Sequence, residues 1–395
     1  MISNDETKNL REALSSIPDP RKERGVRYKY CDLILLIIYA ILSGFSTGVD
    51  IEFYVEENFE YFQKMIGLKN VPSHDTFSRI MRITNFDNLA SVLSTWLVKY
   101  YPETYKKYQE KKVLHLDGKA IRAASEKSKG EEPIYLLNAM YEGGSISVYS
   151  KRVGEKTNEI GELPTFLNQF NLEETIVTID AIGTNENVIK TIIDKKGHYL
   201  LQVKDNQSNL KAEIEKEIEN LKLKNEYEKL ETAQLELTGH GRHEIIKTIL
   251  IKNTQFIFEK LGLKSFYGTI AHVAVFDKTT EKLVDGHNQT TNTRALLITN
   301  LEGLSAENIQ SIKLSHWNIE AQHWILDVQL NEDLNTARRD NSIENASAIK
   351  KFCLWIKKQD KEIDQSKINV KRFAYKNTMN IERISKLLFM DIAKA

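Results

Sequence analysis

Cysteine is scarce, with Cys31 and Cys353 the only two in 395 residues. Two thiols make neither a disulfide framework nor a cysteine zinc cluster, and their scarcity suits a reducing compartment. Long apolar runs are also missing. The longest, LILLIIYAIL at 33–42, is too short to span a bilayer. It starts too late, and with the wrong flanks, for a signal peptide, so no membrane is expected and the run reads as a buried helix. Net charge is absent: 55 Lys and Arg balance 55 Asp and Glu. That balance does not advertise a nucleic-acid binder. The distribution is uneven, however. From residue 350 onward twelve Lys or Arg face five Asp or Glu, while 209–236 holds five Lys against eight Glu. A basic tail and an acidic middle sum to zero and still leave a strong local field.

What is present is enough chain for two or three domains. Residues 1–105 read as helical. After the breaker SIPDPR, the segment VPSHDTFSRIMRI at 71–83 carries capping residues and helical spacing. It suits a small DNA-binding unit or a plain packing helix. KKYQEKK at 106–112 reads as a solvated linker. VLHLDGKAIRAA then alternates like a strand ending at Asp117-Gly118, and 133–153 reads as a hairpin turning at Gly143-Gly144. A helix over 159–170, a strand ending at Asp180, a helix to about 195 and a strand at 198–207 complete an α/β rhythm. Over 208–305 the rhythm breaks into a charged helix and strands, as expected of a β-rich insertion. Residues 306–395 carry helices and the basic tail.

The most informative stretch is HWNIEAQHWILD at 316–327. At about 100° per residue, His316, Glu320, His323 and Asp327 fall within about 60° of one another on a helix. Trp317 and Trp324 form a neighbouring stripe, expected to lock the helix to the sheet. Burying unpaired carboxylates costs several kcal/mol, so at least one acid is expected to meet a cation. Asp117 and Asp180 at two strand ends, with Glu320 on a later helix, can converge at a sheet edge. Hard cations such as magnesium prefer such oxygen ligands, and two ions about 4 Å apart suit phosphodiester chemistry.

The words LDGKAIR, EKTNEIGELP, VTIDAIGTN, YLLQVKDNQ, GHGRHE and HWNIEAQHWILDVQLNED occur in that order, flanked by IPDPR, VPSHDTF and KRFAYKNTMNIERISKLL. With them the chain resembles the DDE transposases of bacterial insertion sequences, in the branch with the H-repeat-associated proteins. The resemblance implies an α/β, RNase H-like catalytic domain with a β-rich insertion, preceded by a helical N-terminal domain. It implies Asp117, Asp180 and Glu320 as catalytic and metal-binding acids for two Mg2+ ions, with Mn2+ as substitute. Asp117 would bridge the ions while Asp180 and Glu320 each lean towards one. The implied partners are double-stranded DNA, namely terminal inverted repeats and target DNA, and a second copy of the chain when DNA-bound. The implied location is the bacterial cytoplasm, at the nucleoid when DNA-bound.

Other polar residues have two readings each. Lys119 and Arg122 can touch phosphate or be solvated strand-end charges. Lys204, Asn206 and Gln207 suit substrate contact or turn formation. His240 and Arg242 can approach a DNA end from the insertion, and His316 can contact phosphate or orient Glu320. His323 and Asp327 are expected to support the acids from behind. Lys156, Asn158 and Glu159 suit a loop-holding role as well as catalysis. Three positions depart from the family pattern: Leu314 replaces an Arg, Ala321 an Asn and Asn185 a Gln. Two rival functions follow: a transposase-derived DNA-binding protein without activity, and a single-metal hydrolase built on His316, Glu320 and His323.

Overall fold

The computed structural model describes residues 10–22, 24, 26–102, 112–121, 134–142, 146–153, 159–180, 184–239, 241–252, 254, 267–284, 287–335, 337, 339–360 and 370–388. Its first part is helical, as the sequence suggests: α1 (Leu10–Ser15), α2 (Tyr30–Leu42), α3 (Gly48–Glu57), α4 (Phe59–Ile66), α5 (His74–Ile83) and α6 (Phe86–Tyr100). The run at 33–42 forms most of α2 and is buried all round, the behaviour of a central helix wrapped by others. Side-chain caps start three of these helices. Thr47 and Asp50 form a capping box on α3, and Ser73 and Asn85 cap α5 and α6. Among the described residues no helix is long and apolar enough to cross a membrane.

A nine-stranded sheet follows: β1 (Val113–Ile121), β2 (Ile134–Tyr141), β3 (Ile146–Val153), β4 (Ile176–Ile179), β5 (His198–Val203), β6 (Glu231–Gly239), β7 (Arg242–Lys252), β8 (His272–Val284) and β9 (His287–Thr299). Its order is β3-β2-β1-β4-β5-β9-β8-β7-β6. β1, β4 and β5 are parallel neighbours; the other pairings are antiparallel. The β-rich segment therefore extends the same sheet, because β9 pairs with β5. The strands of the expected hairpin at 133–153 are present as β2 and β3; its Gly143-Gly144 turn lies outside the described residues, as does most of the expected linker.

Side-chain alternation divides the sheet into two faces. Leu114, Leu116, Val177, Ile179, Tyr199 and Leu201 pack under α7 (Glu159–Leu167), α8 (Glu186–Asp194) and α9 (Ser208–Leu223). On the other face Val113, Ile176, Leu200 and Leu297 meet Ile309 and Ile312 of α10 (Ala306–Leu330). Ser305 and Asn308 form a capping box at the start of α10. Asn331, left-handed at φ 52°, ends it.

The last helices are α11 (Ser342–Gln359), α12 (Val370–Met379) and α13 (Glu382–Leu387). Ile349, Phe352 and Ile356 of α11, with Phe373 and Ile384, share one apolar core with α1 to α6. Segments from both ends of the chain thus build one helical body. The basic tail is divided: Lys350, Lys351 and Lys357 are buried, at most 3% exposed, whereas Lys371, Arg372 and Lys386 are exposed.

Candidate functional site

Asp117 and Asp180 are brought together by strand register. Parallel pairing of β1 and β4 sets Leu116 beside Ile179, so the next residues are Asp117 and Asp180, on strands about 4.8 Å apart. Both belong to the face covered by α10, since the preceding same-face pair, His115 and Thr178, reaches His316 on that helix. β4 ends before Asp180 as expected. β1 does not end at Asp117-Gly118. It continues to Ile121 because β2 pairs with it residue for residue, from Asp117 opposite Asn138 to Ile121 opposite Ile134. Asp117 lies at the level where only the parallel partner stops.

The stripe on α10 divides into an inward and an outward part. His316 is buried, with Nδ1 2.7 Å from Thr178 Oγ1, and His115 Nδ1 meets the same hydroxyl at 2.7 Å. Burial and then the neighbouring imidazole push His115 down to about 3. Burial, followed by the Lys313 ammonium, lowers His316 to about 4. Both rings are neutral at physiological pH. His316, engaged with the sheet, does not face solvent to meet a phosphate. His323 Nδ1 lies 3.3 Å from Asp117 Oδ2, and its Nε2 lies 3.2 Å from Asn138 Nδ2. His323 thus has one nitrogen beside a carboxylate and the other beside an amide, while His316 is turned into the sheet, an arrangement that lends no support to a single-metal site on His316, Glu320 and His323.

Glu320 projects from the outer side of α10. Its carboxyl is raised by burial first, then by the charges of Asp117 and Asp180. Lys313, about two helical turns earlier, donates to Gln202 Oε1 at 3.2 Å. Its ammonium is lowered by burial and by Lys204, while Asp180 and Glu320 oppose the shift. Three carboxylates and one amine thus share a field. Among the described residues no group of three His, Cys, Asp or Glu closes tightly enough to hold a metal as placed. The donor set is nevertheless all oxygen and mutually repelling, the chemistry that a hard cation relieves.

The remaining candidates separate. Lys119, expected as a phosphate contact or a solvated charge, is neither: it is buried and ion-paired with Glu332 and with Asp327 Oδ1 (2.6 Å). Asp327 thereby supports the strand behind Asp117. Gln207 donates to Thr184 O at 2.9 Å and holds the loop after β5; Asn206 shares its 3-10 turn, and Lys204 is exposed just before it. Arg242 sits 3.4 Å from Glu244 at the end of β7, five strand positions from β1, roughly 24 Å away. It does not join the acids. Arg122, His240, Lys156 and Asn158 lie outside the described residues. Trp317 packs on Phe276 and under Lys278, as expected of a locking residue, whereas Trp324 is 56% exposed and locks nothing. Asn185 caps α8 by accepting from Asn187 N, a contact that the longer Gln makes poorly.

Sequence reasoning missed Asn138, Lys351, Lys313 and Glu332. A polar residue inside an apolar strand (LLNAM) or an apolar helix (AIKKFCLWI) was the available signal.

The family model described as Transposase DDE domain matches residues 108–356, and one described as DDE_Tnp_1-associated matches 11–97. The chain is 29% identical over 385 residues to "Putative transposase YncI" of Escherichia coli O157:H7, covering 95% of this chain and 94% of that protein. It is 28% identical over 363 residues to "H repeat-associated putative transposase YhhI" of Escherichia coli K12, covering 90% and 92%. A shorter relative, "Inactive transposase YbfQ" of the same strain, is 35% identical over 77 residues, 19% of this chain and 92% of that protein. The chain belongs to the DDE transposase domain family.

Proposed function

We propose that this protein is a DNA transposase that cuts one strand at an element's end and then joins the freed 3′-hydroxyl to another phosphodiester. The observation that carries this reading is the register pairing that makes Asp117 and Asp180 neighbours beneath the helix of Glu320. We read the fold as RNase H-like, with β6 to β9 as its insertion. Divalent cations, Mg2+ or Mn2+, held by Asp117, Asp180 and Glu320 would supply Lewis acidity to the attacking and leaving oxygens. His323 holds one oxygen of Asp117, and the Thr178 hydroxyl, wedged between two neutral imidazoles, keeps α10 against the strand ends. Lys313 and Lys204 place positive charge beside the acids, where a phosphodiester is drawn in.

The DNA partner is further supported by the N-terminal helices. Arg21, Lys22, Arg24, Arg27 and Arg79 line one concavity of about 570 Å³ with Ser73 and Thr76. Among the described residues Lys22, Arg24, Arg27 and Arg79 make no ion pair, so their charge is available to backbone phosphates. Joining two ends calls for two copies of the active site on DNA.

The test is strand cleavage of an end-containing duplex with magnesium. Asp180→Asn should cut at least about 10³-fold more slowly, the equivalent of several kcal/mol of transition-state stabilisation. Equal cutting by both proteins sinks the assignment. Leu314 and Ala321, where the family pattern has Arg and Asn, favour one second reading: a transposase-derived DNA binder. Salt-dependent binding without magnesium-dependent cleavage selects it.

A further inference from the structure

The donors and acceptors behind Asp117 have one consistent arrangement. Asn138 on β2 lies opposite Asp117, and Ser150 on β3 lies opposite Asn138. Lys351, fully buried on α11, donates to Asn138 Oδ1 and to Ser150 Oγ at 3.0 Å. The amide atom facing those N–H groups has to be its oxygen. Asn138 Nδ2 lies 3.2 Å from Leu136 O, and only an N–H satisfies a carbonyl. Two independent contacts therefore orient the amide the same way. The remaining Nδ2 hydrogen points at His323 Nε2, 3.2 Å away. A ring nitrogen that receives an N–H carries no proton of its own. With Nε2 bare, a ring proton resides on Nδ1, the nitrogen that lies 3.3 Å from Asp117 Oδ2.

We propose that Lys351 and Asn138 are positioning residues that set the tautomer of His323, so that its Nδ1–H fixes the Asp117 carboxylate for reaction. The inference rests on the reading of Asp117 as a catalytic acid. Its energetics argue against simple packing. Burying a lysine is costly, and a methionine of similar volume would fill the space without the penalty. Burial pushes the Lys351 amine down to about 7, although Glu332 pulls it back. Charged or neutral, the amine still donates, so the relay keeps its direction across that range. Without it, His323 is free to place its proton on Nε2 and turn a bare nitrogen towards an anionic carboxylate. Groups that orient a ligating side chain in this way change activity or metal affinity by about 10–100-fold when removed.

The test uses the full-length protein with ring-15N histidine and a long-range proton–nitrogen correlation spectrum, His323 being assigned by its loss in His323→Gln. The native ring is expected to be protonated on Nδ1 and bare on Nε2. In Asn138→Leu both nitrogen shifts should move towards the average of the two tautomers. Magnesium-dependent cleavage should fall about 10–100-fold, with the Kd for duplex DNA unchanged. If Asn138→Leu does not fold, Lys351→Met gives the same readout. A native ring protonated on Nε2, unchanged shifts in the variant, or an unchanged cleavage rate each overturns the inference. Failure of the transposase reading itself appears separately, as undiminished cleavage in Asp180→Asn.

Discussion

Lys119 on β1 and Glu332, just beyond α10, form an ion pair inside the protein, with both side chains almost wholly removed from water. The turn that ends α10 makes the meeting possible. Asn331 adopts the left-handed conformation and Glu332 N donates to Leu326 O at 2.9 Å, which swings the chain back under the sheet. Asp327, on the last turn of α10, reaches the same ammonium. One lysine thus ties the helix that carries Glu320 to the strand that carries Asp117.

Lys119→Met should be strongly destabilising. It strands the buried Glu332 carboxylate and leaves Asp327 half-satisfied, a loss of about 3–5 kcal/mol in urea or guanidinium unfolding. The salt dependence of DNA binding should not change, because this lysine meets no phosphate. A reduced salt slope in a folded Lys119→Met protein would restore it as a DNA contact.

Acid stability should report the same pair. Burial alone would raise Glu332, but Lys119, Lys351 and Lys350 overcome it and hold the carboxyl down at about 2. In the unfolded chain a glutamate titrates near 4.3. The folded value lies below the unfolded one, so its contribution is complete above about pH 4.3 and is lost as pH falls towards 2. Two units correspond to about 3 kcal/mol. The stability gap between the native protein and Glu332→Gln should narrow by that order between pH 5 and pH 2. A gap that does not vary with pH contradicts the depressed carboxyl.

DNA affinity should depend on the N-terminal concavity. Arg24→Glu with Arg27→Glu should weaken binding of a duplex of any sequence. It should also reduce the slope of log affinity against log salt by about 2, roughly 0.9 for each phosphate that is no longer neutralised. Melting temperature should hold, since both side chains are exposed. An unaltered slope would move the DNA path elsewhere.

Much of the site was legible because its signals are local. The two HW pairs share one helix face, and an apolar strand ending at Asp180 announces an acid at a sheet edge. The partners that hold those acids were not legible. Lys119 and Glu332, like Asn138 and Lys351, are 213 residues apart in sequence, and periodicity within either segment says nothing of the other. Asp117-Gly118 imitates a strand end, since glycine usually punctuates strands, and only the pairing of β2 carries the strand past it. The lysines from residue 350 onward read as a basic tail because composition counts charge without burial. Trp324 looked like core because an aromatic at helical spacing usually is. That β6 to β9 extend the same sheet was not legible either, because β9 and its partner β5 lie about a hundred residues apart.

That pairing has a cost for any attempt to shorten the molecule. β5 carries Leu200 to Val203 in register with β9, and its other neighbour is the strand that delivers Asp180. A version trimmed of residues 208–305 would expose the backbone of an apolar strand along its whole length, one position from the strand that leads to Asp180. Such an open border invites other chains to dock by strand addition. Miniaturised forms would be expected to clump before they could be tested on DNA.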